Sequence, residues 1–235
     1  MIAIDAVYKS FDGLNVVRDL SLTVDDGEVF GLAGPNGAGK TTTIKLMTGL
    51  LKPDSGTILI GKKNIVTEPM STKKIFGYVP DKAFLYEKLS VREFLTFCAA
   101  LHHVGKPDAI VRIEKFIDIF GLKDNVNELI EGLSQGTRQR LLFAAALIHN
   151  PDILIIDEPF VGLDPFGVRI VKDVIKELSA KGVTVFLATH SLHIAEELCR
   201  RVGFIRRGAL VSVKTREEIM EVEGGLEGLF MKISG

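Results

Sequence analysis

The chain has 235 residues, 46% hydrophobic and 25% charged, with a formal net charge of −1. That balance suits a globular protein and offers no broad basic field, so no nucleic-acid partner is expected. No stretch reaches the ~18 uncharged apolar residues of a membrane span, and the first residues lack a signal-peptide pattern. Cys98 and Cys199 have no C-x-x-C spacing, so they read as two reduced thiols rather than a zinc site or a disulfide. The expected location is cytosolic, with any membrane part supplied by another chain.

From Met1 to about Asp26 the chain reads as antiparallel strands, with turns at Asp12-Gly13 and Asp25-Asp26-Gly27. The apolar run Val29–Ala33 follows, then Gly34-Pro35-Asn36-Gly37-Ala38-Gly39-Lys40-Thr41, then a helical segment from Thr42 to Leu50. The spacing G-x-x-x-x-G-K-[ST] between a strand and a helix is that of a phosphate-binding loop. Its glycines let backbone N–H groups turn toward anionic oxygens, and the helix terminus adds its positive dipole end. Lys40 can then reach β- and γ-phosphates, and the Thr41 hydroxyl is placed to ligate Mg²⁺.

Further strand-like runs occur at Thr57–Ile60, Ile75–Val79, Ile153–Ile156, Val183–Ala188 and Gly203–Arg206. Continuous runs of Val and Ile suit strands covered on both faces, and the amphipathic stretch Pro165–Ala180 suits a covering helix. The fold class is α/β. Residues 82–150 differ: helical patterns at Val91–His102, Pro107–Phe120, Asp124–Glu131 and Ser134–His149 follow one another without a strand, as in an inserted helical lobe. The expected division of a single domain is a core of residues 1–81 and 151–220, a lobe of 82–150, and a loosely ordered tail of 221–235.

Two more signals carry chemistry. Ile153–Ile156 delivers Asp157 and Glu158 to the carboxyl end of a buried strand, where ligands bind in open α/β sheets. Asp157 is placed for a Mg²⁺ shell, and Glu158 to polarise a water for in-line attack. In Leu133-Ser134-Gln135-Gly136-Thr137-Arg138-Gln139-Arg140, Ser134 can cap the helix that follows, which makes a second helix terminus open to an anion. By residue types alone an ordinary capped helix is the favoured reading.

Gly34–Thr41, Leu133–Arg140, Ile153–Glu158, Val161-Gly162-Leu163-Asp164 and His190 follow in an order and spacing that resemble an ATP-binding-cassette (ABC) nucleotide-binding subunit, from about Ile2 to Val213. The resemblance implies a P-loop NTPase core with a mostly parallel sheet, an antiparallel N-terminal part and a helical lobe. It also implies ATP and Mg²⁺ as ligands and an ATPase activity. Residue by residue, it assigns Phe11 to stacking on adenine, and Asn36, Gly37, Ala38, Gly39, Lys40, Thr41 and Thr42 to cradling phosphates. Ser134 and Gly136 would contact the γ-phosphate held by a second subunit, so the expected partners are a second cassette, as a homodimer, and a separately encoded permease. Asp164 would couple the two sites, Glu158 would activate water, and His190 would contact the γ-phosphate.

Three departures from the family pattern stand out. Tyr78-Val79-Pro80 leads to Asp81 where the family commonly has glutamine; its carboxylate could still approach Mg²⁺. Gln135 and Thr137 replace a glycine and a glutamine of the usual signature. Leu85 and Tyr86, in the segment Phe84–Leu89, sit where such subunits receive a permease, though packing of the lobe explains them equally, and the run Gly31–Thr43 with a short C-terminal tail is similar to exporter subunits of the drug, polysaccharide or lipid type. The alternative reading is an ATPase acting on a cytosolic assembly such as an iron–sulfur scaffold.

Overall fold

The computed structural model describes residues 1–82 and 85–234, the side chains of 232–234 excepted. In chain order the elements are β1 (Ile2–Phe11), β2 (Leu14–Val24), β3 (Val29–Ala33), α1 (Lys40–Met47), β4 (Ser55–Ile60), β5 (Lys63–Asn64), α2 (Pro69–Lys73) and β6 (Phe76–Val79). Next come α3 (Val91–Leu101), α4 (Lys106–Ile119), α5 (Gln135–Leu147), β7 (Ile153–Asp157), α6 (Pro165–Ala180) and β8 (Thr184–Thr189). The chain closes with α7 (Leu192–Leu198), β9 (Arg201–Arg206), β10 (Ala209–Thr215), α8 (Arg216–Met220) and α9 (Gly225–Ser234).

Two sheets organise these elements. One is antiparallel, in the order β2-β1-β4-β5; the other runs β10-β9-β3-β8-β7-β6 and is parallel except for its β10 edge. All residues of β3, β7 and β8 are buried. That explains their uninterrupted apolar character, because neither face meets water. Phe30 and Phe186 stack between the two sheets in one core, while the helices over the other face build a second core around Phe120, Phe143 and Leu154. The α/β class and the P-loop architecture are as expected.

Residues 82–150 contain α3, α4 and α5 and, among the described residues, no strand. Ser90 begins α3 with a reciprocal cap: its hydroxyl accepts from the Glu93 N–H while Glu93 accepts from the Ser90 N–H. The helix expected at Asp124–Glu131 is instead two 3₁₀ turns, Lys123–Asn125 and Ile130–Gly132. Between them Leu129 is extended and pairs with Ser90, which breaks the helical path. The segment past residue 221 is more structured than expected. It carries α9, whose Leu226 is fully buried and whose Phe230 packs against Phe204.

β6 and α5 approach unusually closely. A Cβ on Gly77 would lie 2.2 Å from the carbonyl oxygen of Ala146, so only glycine permits the contact. No helix among the described residues is long and apolar enough to cross a membrane.

Candidate active site

Adjacent parallel strands bring their carboxyl ends to one edge. β3, β8, β7 and β6 are neighbours in that order, with Ala33 paired to Thr189 and Asp157 to Ala188. The loops leaving those ends therefore converge, as open α/β sheets arrange their ligand sites. β3 leads into residues 34–39 and Lys40; β7 ends at Asp157 and Glu158; β8 leads to His190; β6 leads to Asp81. A cavity of about 240 Å³ is lined by residues from three of these, including Asn36, Lys40, Thr41, Asp81 and Glu158. A 330 Å³ cleft beside α4 and α6, lined by Phe116 and Glu177 among others, lacks these loops.

The loop is held by backbone contacts. Gly39 caps α1 at φ 110°, in the left-handed region open to glycine. A Cβ on Gly34 would lie 2.4 Å from the Ile205 carbonyl oxygen, so the loop lies directly on the end of β9. The Gly208 N–H donates to the Ala38 carbonyl at 2.9 Å, which fixes the buried Ala38 from the β9–β10 turn. Asn36 and Gly37 are exposed and Thr42 is half-buried.

Lys40 is buried and donates to the carbonyls of Gly34 at 2.7 Å and Pro35 at 3.2 Å. Its ammonium lies 3.9 Å from Glu158 Oε1. Burial lowers its pKa, opposed by the charges of Glu158 and Asp157. Glu158 itself takes the left-handed conformation at φ 48°, a strain of about 1–2 kcal/mol for a side-chain-bearing residue. Its N–H donates to the Ala188 carbonyl at 2.9 Å, which ties the strained residue to β8. His190 meets the same carboxylate twice. Its backbone N–H donates to Oε2 at 3.2 Å, and its Nδ1 lies 2.8 Å from that oxygen.

Asp157 is 1% exposed, and neither carboxylate oxygen has a hydrogen-bond partner. Burial pushes its pKa up to about 6, although the nearby Thr41 hydroxyl and the Lys40 ammonium pull the other way. Two buried, unpartnered carboxylate oxygens beside a hydroxyl form a hard oxygen set that suits Mg²⁺.

Ser134 caps α5, its hydroxyl accepting from the Thr137 N–H at 3.2 Å. A Cβ on Gly136 would meet the Gly162 carbonyl at 3.1 Å, so this terminus packs against the loop that contains Asp164. Asp164 in turn caps α6 through the Gly167 N–H at 2.7 Å. The cavity lining includes no residue of 134–137. Phe11 is also absent from it. It stands half-exposed at the end of β1, with the Lys9 ammonium 5.5 Å over its ring. Sequence reasoning missed Val16, which lines the cavity, and Ile205 and Gly208, which support the loop. None sits in a local pattern that marks a ligand; only the tertiary pairing brings them there.

A family model described as ABC transporter matches residues 17–161. Over its whole length the chain is 34% identical to the linearmycin resistance ATP-binding protein LnrL of Bacillus subtilis (strain 168), and covers 76% of it. It superposes on a solved ATP-binding subunit of an ABC transporter with TM-score 0.94 and 29% identity, over 100% of both chains. A dimeric post-hydrolysis state of the ATP-binding cassette MJ0796, bound to ADP and Pi, has the same fold at TM-score 0.85 and 23% identity, over 92% of this chain and 99% of that one.

Proposed function

Because this chain belongs to the ABC transporter family, we propose that two copies of it close around two ATP molecules and drive a separately encoded permease in the export direction. The chain is an ATP-binding cassette ATPase, hydrolysing ATP to ADP and phosphate in a transporter. What supports the dimer is that Ser134 and Gly136 lie outside the cavity formed by Lys40, Asp81 and Glu158. A second copy would bring its own Ser134 terminus to the open side of the nucleotide.

On entry of ATP, Lys40 would exchange the Gly34 and Pro35 carbonyls for phosphate oxygens. Asn36, Gly37, Ala38, Gly39 and Thr42 would surround the phosphates, and Phe11 would stack on adenine. Thr41 and Asp157 would hold Mg²⁺, with Asp81 close by; the bound ion would offset charge on the phosphate oxygens. Glu158 would take the proton of the attacking water. His190 anchors that carboxylate through Nδ1, which leaves Nε2 to face the γ-phosphate. Residues 82–150 would act as a lobe on the core formed by 1–81 and 151–220. Tyr86, 59% exposed and edge-on to Phe97, would meet the permease, and Leu85 packs beneath; Phe84 lies outside the described residues. The permease would hold the subunit at the cytoplasmic face of the membrane. The resistance named for LnrL supports export.

Glu158→Gln tests the reading. It keeps size and removes the base, so turnover should fall by about 10²–10⁴-fold while ATP still binds. The variant should accumulate as an ATP-dependent dimer by light scattering. Wild-type turnover, or a monomer at saturating Mg-ATP, would sink it. Leu85→Glu with Tyr86→Glu should uncouple ATPase activity from the permease, and capture of a soluble scaffold instead of a polytopic membrane protein would overturn the permease assignment.

A further inference from the structure

Away from the phosphate-loop cavity and the cleft beside α4 and α6, another cavity of about 330 Å³ gathers basic side chains. Lys74, His102, His103, Arg112 and His149 line it, with Asp108 the single carboxylate among the described residues of its wall. Four parts of the fold contribute. Lys74 follows α2, the histidines at 102 and 103 follow α3, Asp108 and Arg112 belong to α4, and His149 follows α5. Five groups that carry or can take a positive charge thus face one carboxylate, in a chain of net charge −1.

The two histidines at the back of the cavity are stacked, ring centroids 3.7 Å apart and planes within 7°. His149 Nε2 lies 3.1 Å from the Phe76 carbonyl, which can only accept, so Nε2 carries the proton. Its Nδ1 is buried without a hydrogen-bond partner. Burial, then repulsion from His102, pushes the His149 pKa down to about 4; burial and His103 lower that of His102. Arg112 is anchored by donating to the Ile148 carbonyl at 3.2 Å. Arg112 and His149 are therefore held in place, and a proton on either stacked ring meets burial and repulsion that a neighbouring anion would relieve.

We propose that this cavity binds a phosphate-class anion, held by Lys74, His103 and Arg112 and by the stacked His102–His149 pair when protonated. Donors converging from four segments match a tetrahedral group with several oxygens better than a planar carboxylate. A ligand there would tie the ends of α3 and α5 to β6, through His149 and Phe76. The site is separate from the phosphate loop, and its existence does not depend on the proposed dimer or permease. A free phosphate and a phospholipid headgroup share the required chemistry.

The test follows the histidine ring signals by NMR on the full chain, with saturating Mg-ADP filling the phosphate loop. Inorganic phosphate is titrated at constant ionic strength with chloride as the balancing ion. Vesicles of phosphatidylglycerol and of phosphatidylcholine form the second arm. The His102 and His149 signals should shift saturably, and their titration midpoints should rise by about half a unit. Lys74→Ser and His103→Gln should each weaken binding roughly threefold to tenfold while leaving basal ATPase activity unchanged. A response to inorganic phosphate identifies a free anion; a response only to phosphatidylglycerol identifies a headgroup. Signals unmoved by either probe, moved as much by phosphatidylcholine, or moved in both variants just as in the wild type, overturn the site.

Discussion

Gly34→Ala tests whether the phosphate loop depends on its seat against β9. The new Cβ would lie 2.4 Å from the Ile205 carbonyl oxygen and 2.8 Å from Ile205 Cγ2. Carbon–oxygen contacts of this kind settle near 3.3 Å, so the loop or the strand end must retreat by roughly 0.9 Å. Neither is the far end of a flexible side chain; the oxygen belongs to the backbone of a strand paired on both sides. Overpacking of this sort costs about 1–3 kcal/mol, which in a chain of this size lowers Tm by roughly 2–12 °C. The displacement also reaches the ligand, because Gly34 opens the loop whose backbone N–H groups would face the phosphate oxygens. Losing one charge-assisted hydrogen bond, about 1.5–3 kcal/mol, weakens ATP binding by at least roughly tenfold. Isothermal titration calorimetry and thermal melts read the two effects. Gly105→Ala is the control, since its Cβ meets nothing within 4 Å and its φ of −58° is ordinary. If Gly34→Ala matched wild type in both Tm and affinity, the seat would not be what positions the loop.

Other substitutions probe the scaffold and the metal set. Glu28 is 4% exposed and accepts from Arg201 Nε and Nη2, each at 2.7 Å, so Glu28→Ala should cost about 3 kcal/mol in denaturant melts; a loss under about 1 kcal/mol would make the pair incidental. Asp157→Asn should abolish the Mg²⁺-dependent part of ATP binding without lowering the Tm of the ligand-free protein, because it removes a charge whose burial is unfavourable; an unchanged Mg²⁺ dependence would remove Asp157 from that role. His149, held near 4 against 6.5 in the unfolded chain, makes the unfolded state bind more protons between those values. Stability should therefore fall by about 1 kcal/mol from pH 7 to pH 5 in phosphate-free buffer, allowing for partial exposure, and His149→Gln should flatten that slope. A slope identical in both proteins would assign it elsewhere.

What was legible in the chain was local. Val29–Ala33 and Ile153–Ile156 revealed themselves because burial on both faces leaves no polar position to disguise them. Pro165–Ala180 was bounded correctly, with Asp164 capping and proline at its first turn. β10 escaped notice because it is an edge strand with no fully buried residue, and α2 and α8 are only 5 residues each. The Asp124–Glu131 segment has helical composition, but the pairing of Leu129 with Ser90, far apart in sequence, takes precedence. At the site, Lys40, Asp157, Glu158 and His190 could be named from their motifs. Their mutual contacts could not, nor could the support from Val16, Ile205 and Gly208, since strand order is not encoded in any one segment.

The near-touching of Gly77 and Ala146 seats one end of α5 directly on β6. Ser134 sits at the opposite tip of that helix, a lever of about 18 Å at 1.5 Å per residue. A tilt of about 10° around the pinned point would swing the Ser134 tip by roughly 3 Å, about the length of a hydrogen bond. Any bulkier residue at 77 would push α5 off the strand that leads to Asp81, and so would be felt at a tip far from the substitution.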